Sequence, residues 1–357
     1  MIEETKPAEG PKIYRPRRRY RSGDDELDAK IAELVTAGGV TEDSDLLTEM
    51  IISCFRLAKH RFDRGEMKLV NAALKEFVYS FKVFKGYKEY RKVSIFGSAR
   101  STPEDPNYEH TRRFAAAMAE RGWMVITGAG PGIMAAGHEG AGAERSFGAA
   151  IRLPMEAEPN SFIEGDPKLI NFKYFFTRKV TFLKESDAFA LLPGGFGTLD
   201  ETFELLTLMQ TGKSDLHPIV LLEVPGGGYW RDWLRFLAGD LAGRDLISEV
   251  DLNLVKHTAD IEEAVDEICR FYHNYHSQRY VDGTMVLRVQ RVPPQDALEN
   301  LGRTFADILR TPSIRPVEPS AQEVIDGDAL DVQRLALDFN QSSFGRLRLL
   351  IDELNRF

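Results

Sequence analysis

Cysteine is scarce: Cys54 and Cys269 are too few for a disulfide framework or a thiolate metal site, and both lie in segments with helical apolar spacing. Long apolar runs are absent too. Nothing approaches the roughly 20 residues that cross a bilayer, and the opening stretch MIEETKPAEGPKIYRPRRRY has no apolar core of the kind a secretion signal carries. A cytoplasmic protein with no membrane partner is expected. Positive charge is also short, because 46 basic against 55 acidic side chains give a net charge of −9, which disfavours a general nucleic-acid surface. Apolar residues at 43% and charged residues at 28% are ordinary values, so neither disorder nor a fibrous class is indicated.

Residues 1–23 are rich in Pro, Gly and charge and carry Arg15, Arg17, Arg18, Arg19 and Arg21; a solvated tail is expected there. Residues 24–90 read as a helical arm, with Leu46, Met50, Ile51, Phe55 and Leu57 near a 3.6-residue period. From about residue 91 the pattern changes to short apolar runs, VSIFG, WMVITG, GAAIRL, DAFALL and PIVLLE, separated by segments long enough for helices. Strands with little alternation are buried on both faces, and helical crossovers make them parallel. The expected fold is therefore α/β, a Rossmann-like doubly wound parallel sheet over 91–276. The C-terminal extension, 277–357, reads as mostly helical, with one strand at TMVLRVQR and a Pro-rich linker at TPSIRPVEPS.

Three glycine loops follow strands, where open parallel sheets bind ligands. In FGSARSTP, Gly97 closes a strand and Ser98 and Arg100 offer a hydroxyl and a guanidinium suited to phosphate. In TGAGPGIMAAGHEGA, Gly128, Gly130 and Gly132 lead into a helix near Ile133, where bare backbone and unpaired N–H groups can meet an anion. Residues Gly130 to Ala135 formally match a nicotinamide-cofactor fingerprint. That reading fails, since the loop follows the second strand and the ribose-binding acid expected about 20 residues on is replaced by AAIRLP.

The third loop is LLPGGFGTLDE. Pro193 ends a strand, Gly194, Gly195 and Gly197 flank Phe196, and Thr198 is expected to be the N-cap of the next helix. Glu201, three residues beyond Thr198, matches the spacing of a capping box. Upstream, FKYFFTRKVTFLKESD sets Arg178 and Lys179 near a helix start, against the dipole preference, which an anionic ligand would explain. Two other features lead nowhere: TGKS at 211–214 resembles a P-loop but lacks its first glycine. His273 and His276 have no nearby acidic partners to complete a metal site.

Together, FGSAR, TGAGPGIMAA, TRK and PGGFGTLDE resemble the LONELY GUY family, whose members are often labelled lysine decarboxylases; the resemblance covers roughly Arg91 to Glu223. It implies a nucleoside 5′-monophosphate phosphoribohydrolase acting on AMP or a cytokinin ribotide, releasing base and ribose 5-phosphate. Arg178 and Glu201 match the family's catalytic positions, and Lys179, Gly194 to Thr198 and Thr207 match substrate-contacting ones. Ala129 departs from the three consecutive glycines of many members. No metal or other cofactor is called for, and a homodimer or larger homo-oligomer is expected. The same loops also resemble a molybdenum-cofactor carrier, which holds a phosphorylated ligand without cleaving it. Lysine decarboxylation would need a Schiff-base lysine with pyridoxal phosphate, for which the sequence offers no cue.

Overall fold

The computed structural model describes residues 20–60, 62–152 and 158–357, so the tail expected over 1–23 lies outside it apart from its last four residues. The chain divides into two compact units at Glu76/Phe77. The first holds helices α1 (Asp25–Ala37) and α2 (Ser44–Lys59) and the beginning of α3 (Arg64–Phe84). Asp24 caps α1 by accepting from the amides of Glu26 and Leu27, and Ile31, Val35 and Ile52 form a small core with Leu27, Val40, Leu47 and Ile51.

The second unit opens with β1 (Lys92–Phe96), α4 (Pro106–Glu120), β2 (Met124–Thr127), α5 (Ile133–Ala141), β3 (Ser146–Ile151) and β4 (Leu169–Phe172). It continues through α6 (Phe175–Glu185), β5 (Ala188–Leu191), α7 (Phe196–Gln210), β6 (Ile219–Leu222), α8 (Tyr229–Phe236), β7 (Val255–Thr258) and α9 (Ile261–Phe271). The seven strands run in the order β4-β3-β2-β1-β5-β6-β7, and every pairing is parallel. Alternate residues serve opposite faces. Val93, Ile95, Val125, Ala190 and Val220 belong to one core cluster, while Phe96, Ile126, Phe189, Leu191 and Leu221 belong to another. That two-sided burial produces a doubly wound sheet, as the sequence predicts. Winding proceeds outward from β1 to β4 and then resumes at β5 on the other side of β1, so the switch point lies between the carboxyl ends of β1 and β5.

The C-terminal extension differs from expectation. A four-stranded antiparallel sheet, β10-β11-β9-β8, is built from β8 (Tyr275–Val281), β9 (Thr284–Val289), β10 (Leu309–Pro316) and β11 (Gln333–Phe339). Helices α10 (Gln295–Thr304), α11 (Ala321–Asp326) and α12 (Phe344–Leu354) share the segment, which is therefore not mostly helical. The expected Pro-rich linker is β10, an edge strand, where a proline without an N–H costs little ladder bonding. The segment expected to begin a helical end is β11, whose Leu335, Leu337 and Phe339 join the main core. Asn355, just after α12, accepts from the amides of Asn274 (3.0 Å) and Tyr275 (2.8 Å) and donates to the Phe271 carbonyl (2.6 Å), tying the chain's last turn to the end of α9.

Candidate active site

The three glycine loops converge at the switch point. The Ser98 amide donates to the Pro193 carbonyl (3.1 Å), and the Ser98 carbonyl accepts from the Ile133 amide (3.0 Å), so the first loop is pinned between the third and the second. Lack of room for a Cβ explains two of the glycines. A Cβ at Gly132, whose φ is +67, would lie 2.3 Å from the Ser98 carbonyl oxygen, and one at Gly194 would lie 2.1 Å from Thr198 Oγ1. Gly97 packs on Ile133, and Gly130 packs on Met134. Ser98 Oγ accepts from the Arg100 amide (3.1 Å), while the Arg100 side chain is exposed at the rim.

Helix α7 starts at the third loop, and no side chain caps it at its N-cap, Gly195. Its first-turn amides have no acceptors within the helix, and they carry the positive end of its dipole. Gly195, Phe196 and Gly197 are exposed there, Phe196 at 93%. Thr198 is not the N-cap. It is the third helical residue, buried, with its carbonyl accepting from Thr202 Oγ1 (2.7 Å). The capping box expected between Thr198 and Glu201 is therefore not formed; the glycines let the helix begin three residues earlier.

Glu201 stands one turn further along α7, partly buried. Burial pushes its carboxyl up to about 7; the nearby charge of Lys179 opposes this, Glu204 adds to it, Arg178 opposes it again, and Asp200 contributes least. Arg178, the fourth residue of α6, lies against the second loop: a Cβ at Gly128 would stand 2.8 Å from its Nη2. Its guanidinium centre is 5.5 Å from the Phe182 ring and 5.9 Å from the Phe175 ring. A cation and a carboxyl with a near-neutral titration thus border a cradle of backbone donors.

Lys179 is committed differently from expectation. Its ammonium pairs with Asp200 Oδ2 (2.8 Å) and Glu204 Oε2 (2.7 Å), joining α6 to α7. Burial would lower its pKa, but the two carboxylates outweigh that and hold it above the ordinary value. Thr207 is not brought to the loops. With Phe203, Leu206 and Leu237 it lines a separate apolar pocket of about 80 Å³. Two supports of the site have no motif in the sequence. Asn160 Nδ2 donates to the carbonyls of Ala129 (3.0 Å) and Gly130 (2.9 Å), and Tyr229 Oη donates to the Gly194 carbonyl (2.7 Å). Ala129 holds a φ of +63, a conformation glycine adopts more easily, at the position where the sequence departs from a glycine run.

The family model described as possible lysine decarboxylase matches residues 128–268, which include the second and third loops, Arg178 and Glu201. Among curated proteins, cytokinin riboside 5′-monophosphate phosphoribohydrolase LOG1 of Arabidopsis thaliana is 47% identical over 60 residues, covering 17% of this chain and 27% of that protein. LOG7 of the same plant is 26% identical over 193 residues, covering 50% of this chain and 86% of that protein.

Over residues 128–268 the chain is similar to the LONELY GUY family.

It spans only about a quarter of the length of the first of these relatives, 27%. Neither Ser98 nor Arg100 lies within the span of the family model. The first loop is nonetheless tied to the matched region through the Ile133 amide, and to the third loop through Pro193. A molybdenum cofactor carrier protein from Chlamydomonas reinhardtii is similar at a TM-score of 0.35 with 20% identity, covering 51% of this chain and 97% of that one. A likeness at that score decides nothing about chemistry.

Proposed function

We propose that the protein hydrolyses the N-glycosidic bond of a nucleoside 5′-monophosphate, AMP or a cytokinin riboside 5′-monophosphate, giving free base and ribose 5-phosphate. The observation that carries this reading is Glu201: a carboxyl pushed up to about 7 by burial, one turn beyond an uncapped helix start, and not spent on capping that helix. The 5′-phosphate sits on the amides of Gly195 to Thr198, with Ser98 and Arg100 at its edge. The glycine backbone of the second loop, Gly128, Gly130 and Gly132, borders the sugar. Anchoring the phosphate holds the ribose so that binding energy goes into orientation.

As the bond from C1′ to the base breaks, positive charge grows on the ribose ring. Ionised Glu201 stabilises that charge and takes a proton from the water that attacks C1′, as carboxylates do in glycoside hydrolysis. A carboxylate with an elevated pKa is the stronger base for that step near neutrality. The departing base takes a proton from solvent, and Glu201 returns to solvent the proton it took, so one water is consumed per bond cleaved. Arg178, permanently charged, acts by attraction on the nucleotide and not as a proton donor. Lys179 positions Asp200 and Glu204 and tunes Glu201 instead of binding substrate. On this reading residues 91–276 are the catalytic core, between the helical arm of 24–90 and the extension of 277–357.

Incubation with AMP and chromatographic detection of adenine tests the proposal. Wild-type protein is expected to release adenine, and Glu201→Ala is expected to lose at least a hundredfold in rate. Failure of the wild type to release any base from a panel of nucleoside monophosphates would overturn it.

A further inference from the structure

We infer that Tyr229 is a positioning residue for the phosphate cradle, acting through one peptide group. This rests on the cradle reading above. Tyr229 Oη donates to the Gly194 carbonyl at 2.7 Å. A trans peptide is planar, so the Gly194 carbonyl and the Gly195 amide point in opposite directions. With glycine on both sides, that peptide can rotate with little steric opposition, and a rotated peptide would turn the Gly195 N–H away from the cradle. Fixing the carbonyl on the Tyr229 hydroxyl holds the N–H on the ligand side.

The tyrosine is itself held. Its amide donates to Glu223 Oε2 (2.9 Å), which thereby caps the first turn of α8, where no N-cap side chain serves. Glu223 is 2% exposed, and its other oxygen accepts from His257 Nε2 (2.8 Å). A buried carboxylate fixed from two strands, at the end of β6 and within β7, therefore sets the start of α8. The start of α8 in turn sets the hydroxyl that orients the third loop. The Gly195 amide donates to an anion, and a hydrogen bond to a charged group is worth about one order of magnitude in affinity.

The test is calorimetric titration of the full chain with ribose 5-phosphate and, separately, with adenine. Tyr229→Phe removes one oxygen atom and leaves the ring in place. It is expected to weaken ribose 5-phosphate binding about tenfold, with adenine binding unchanged, and to raise KM for AMP more than it lowers kcat. The titration stoichiometry reports the folded fraction separately from affinity, so partial unfolding cannot mimic the result. Unchanged ribose 5-phosphate affinity, or an equal loss for adenine, would overturn the assignment. Because the readout is binding, a selective loss supports the role of Tyr229 even in a protein that does not cleave AMP, so the two readings fail separately.

Discussion

The Glu201 carboxyl has an ordinary value of 4.5 and a folded value of about 7, so between these pH values the folded protein holds a proton that the unfolded chain has already released. Where the native state binds more protons, stability falls as pH rises. The loss is absent below the unfolded value and complete above the folded one. At 1.36 kcal/mol per pKa unit it amounts to about 3 kcal/mol at pH 8 and about 1 kcal/mol at pH 5. Glu201→Gln keeps the shape of the protonated acid and cannot ionise, so it is expected to recover that energy. Thermal midpoints of wild type and Glu201→Gln at pH 5 and pH 8 test this: the variant should melt higher by roughly 5 °C at pH 8, with the difference shrinking at pH 5. Adenine release by the same variant should fall at least a hundredfold. Greater stability with lost activity is the pattern of a group retained for chemistry at the expense of the fold. A stability difference independent of pH, or a variant less stable at pH 8, would refute the reasoning.

Four other perturbations follow, three around the site and one at the end of the chain. Gly194→Ala sets a methyl 2.1 Å from Thr198 Oγ1 and 3.1 Å from the Gly97 backbone, so it should cost roughly 2 kcal/mol in a denaturant titration. Gly197→Ala meets nothing within 4 Å, so it should stabilise α7 by roughly half a kcal/mol while raising KM, because the methyl borders the cradle. Lys179→Gln removes the strongest influence holding the Glu201 carboxyl down, so the acid limb of the kcat/KM profile for AMP should move up from about 7. An unmoved limb would assign that limb to another group. Asn355→Ala leaves the amides of Asn274 and Tyr275 and the Phe271 carbonyl buried without their partner, and should lower stability by roughly 3 kcal/mol in the same denaturant titration.

Five of the seven parallel strands were legible because each is a dense apolar run closed by Gly, Pro or a charge. The other two were not. β4 is only LINF, with Asn171 exposed, and β7 is VKHT, with one apolar residue; neighbouring strands order these segments more than their own composition does. The second sheet was misread for a related reason. In β11, Arg334 is buried with its guanidinium on Glu323 (3.2 Å) and on the carbonyls of Val332 (2.7 Å) and Ala329 (3.0 Å), so the polar positions did not mark a solvent face. At the site, glycine spacing revealed the loops; at Gly132 the requirement is a close approach of backbone to backbone, since a Cβ there would lie 2.3 Å from the Ser98 carbonyl oxygen. The pairing of Lys179 with Asp200 and Glu204, the turn of Thr207 away from the loops, and the bond from Tyr229 to Gly194 all depend on where separate helices cross, which local sequence does not encode.

The position of the helix start decides between the two sequence readings of Glu201. Had α7 begun after Thr198, the carboxylate would stand at the third helical position and close a capping box, a sufficient structural reason for its presence. With the start at Phe196, Glu201 is the sixth helical residue, beyond reach of the orphan amides. A partly buried carboxyl with no capping duty, flanked by Asp200 and Glu204, is an electrostatic cost, and Lys179 and Arg178 offset that cost only in part, since the net displacement remains upward. Burial that disfavours a charge is retained where the charge, or its proton, is used. On the proposed function, the glycines that receive the phosphate are also the residues that let α7 begin early, so one short segment both opens the cradle and frees the acid beside it.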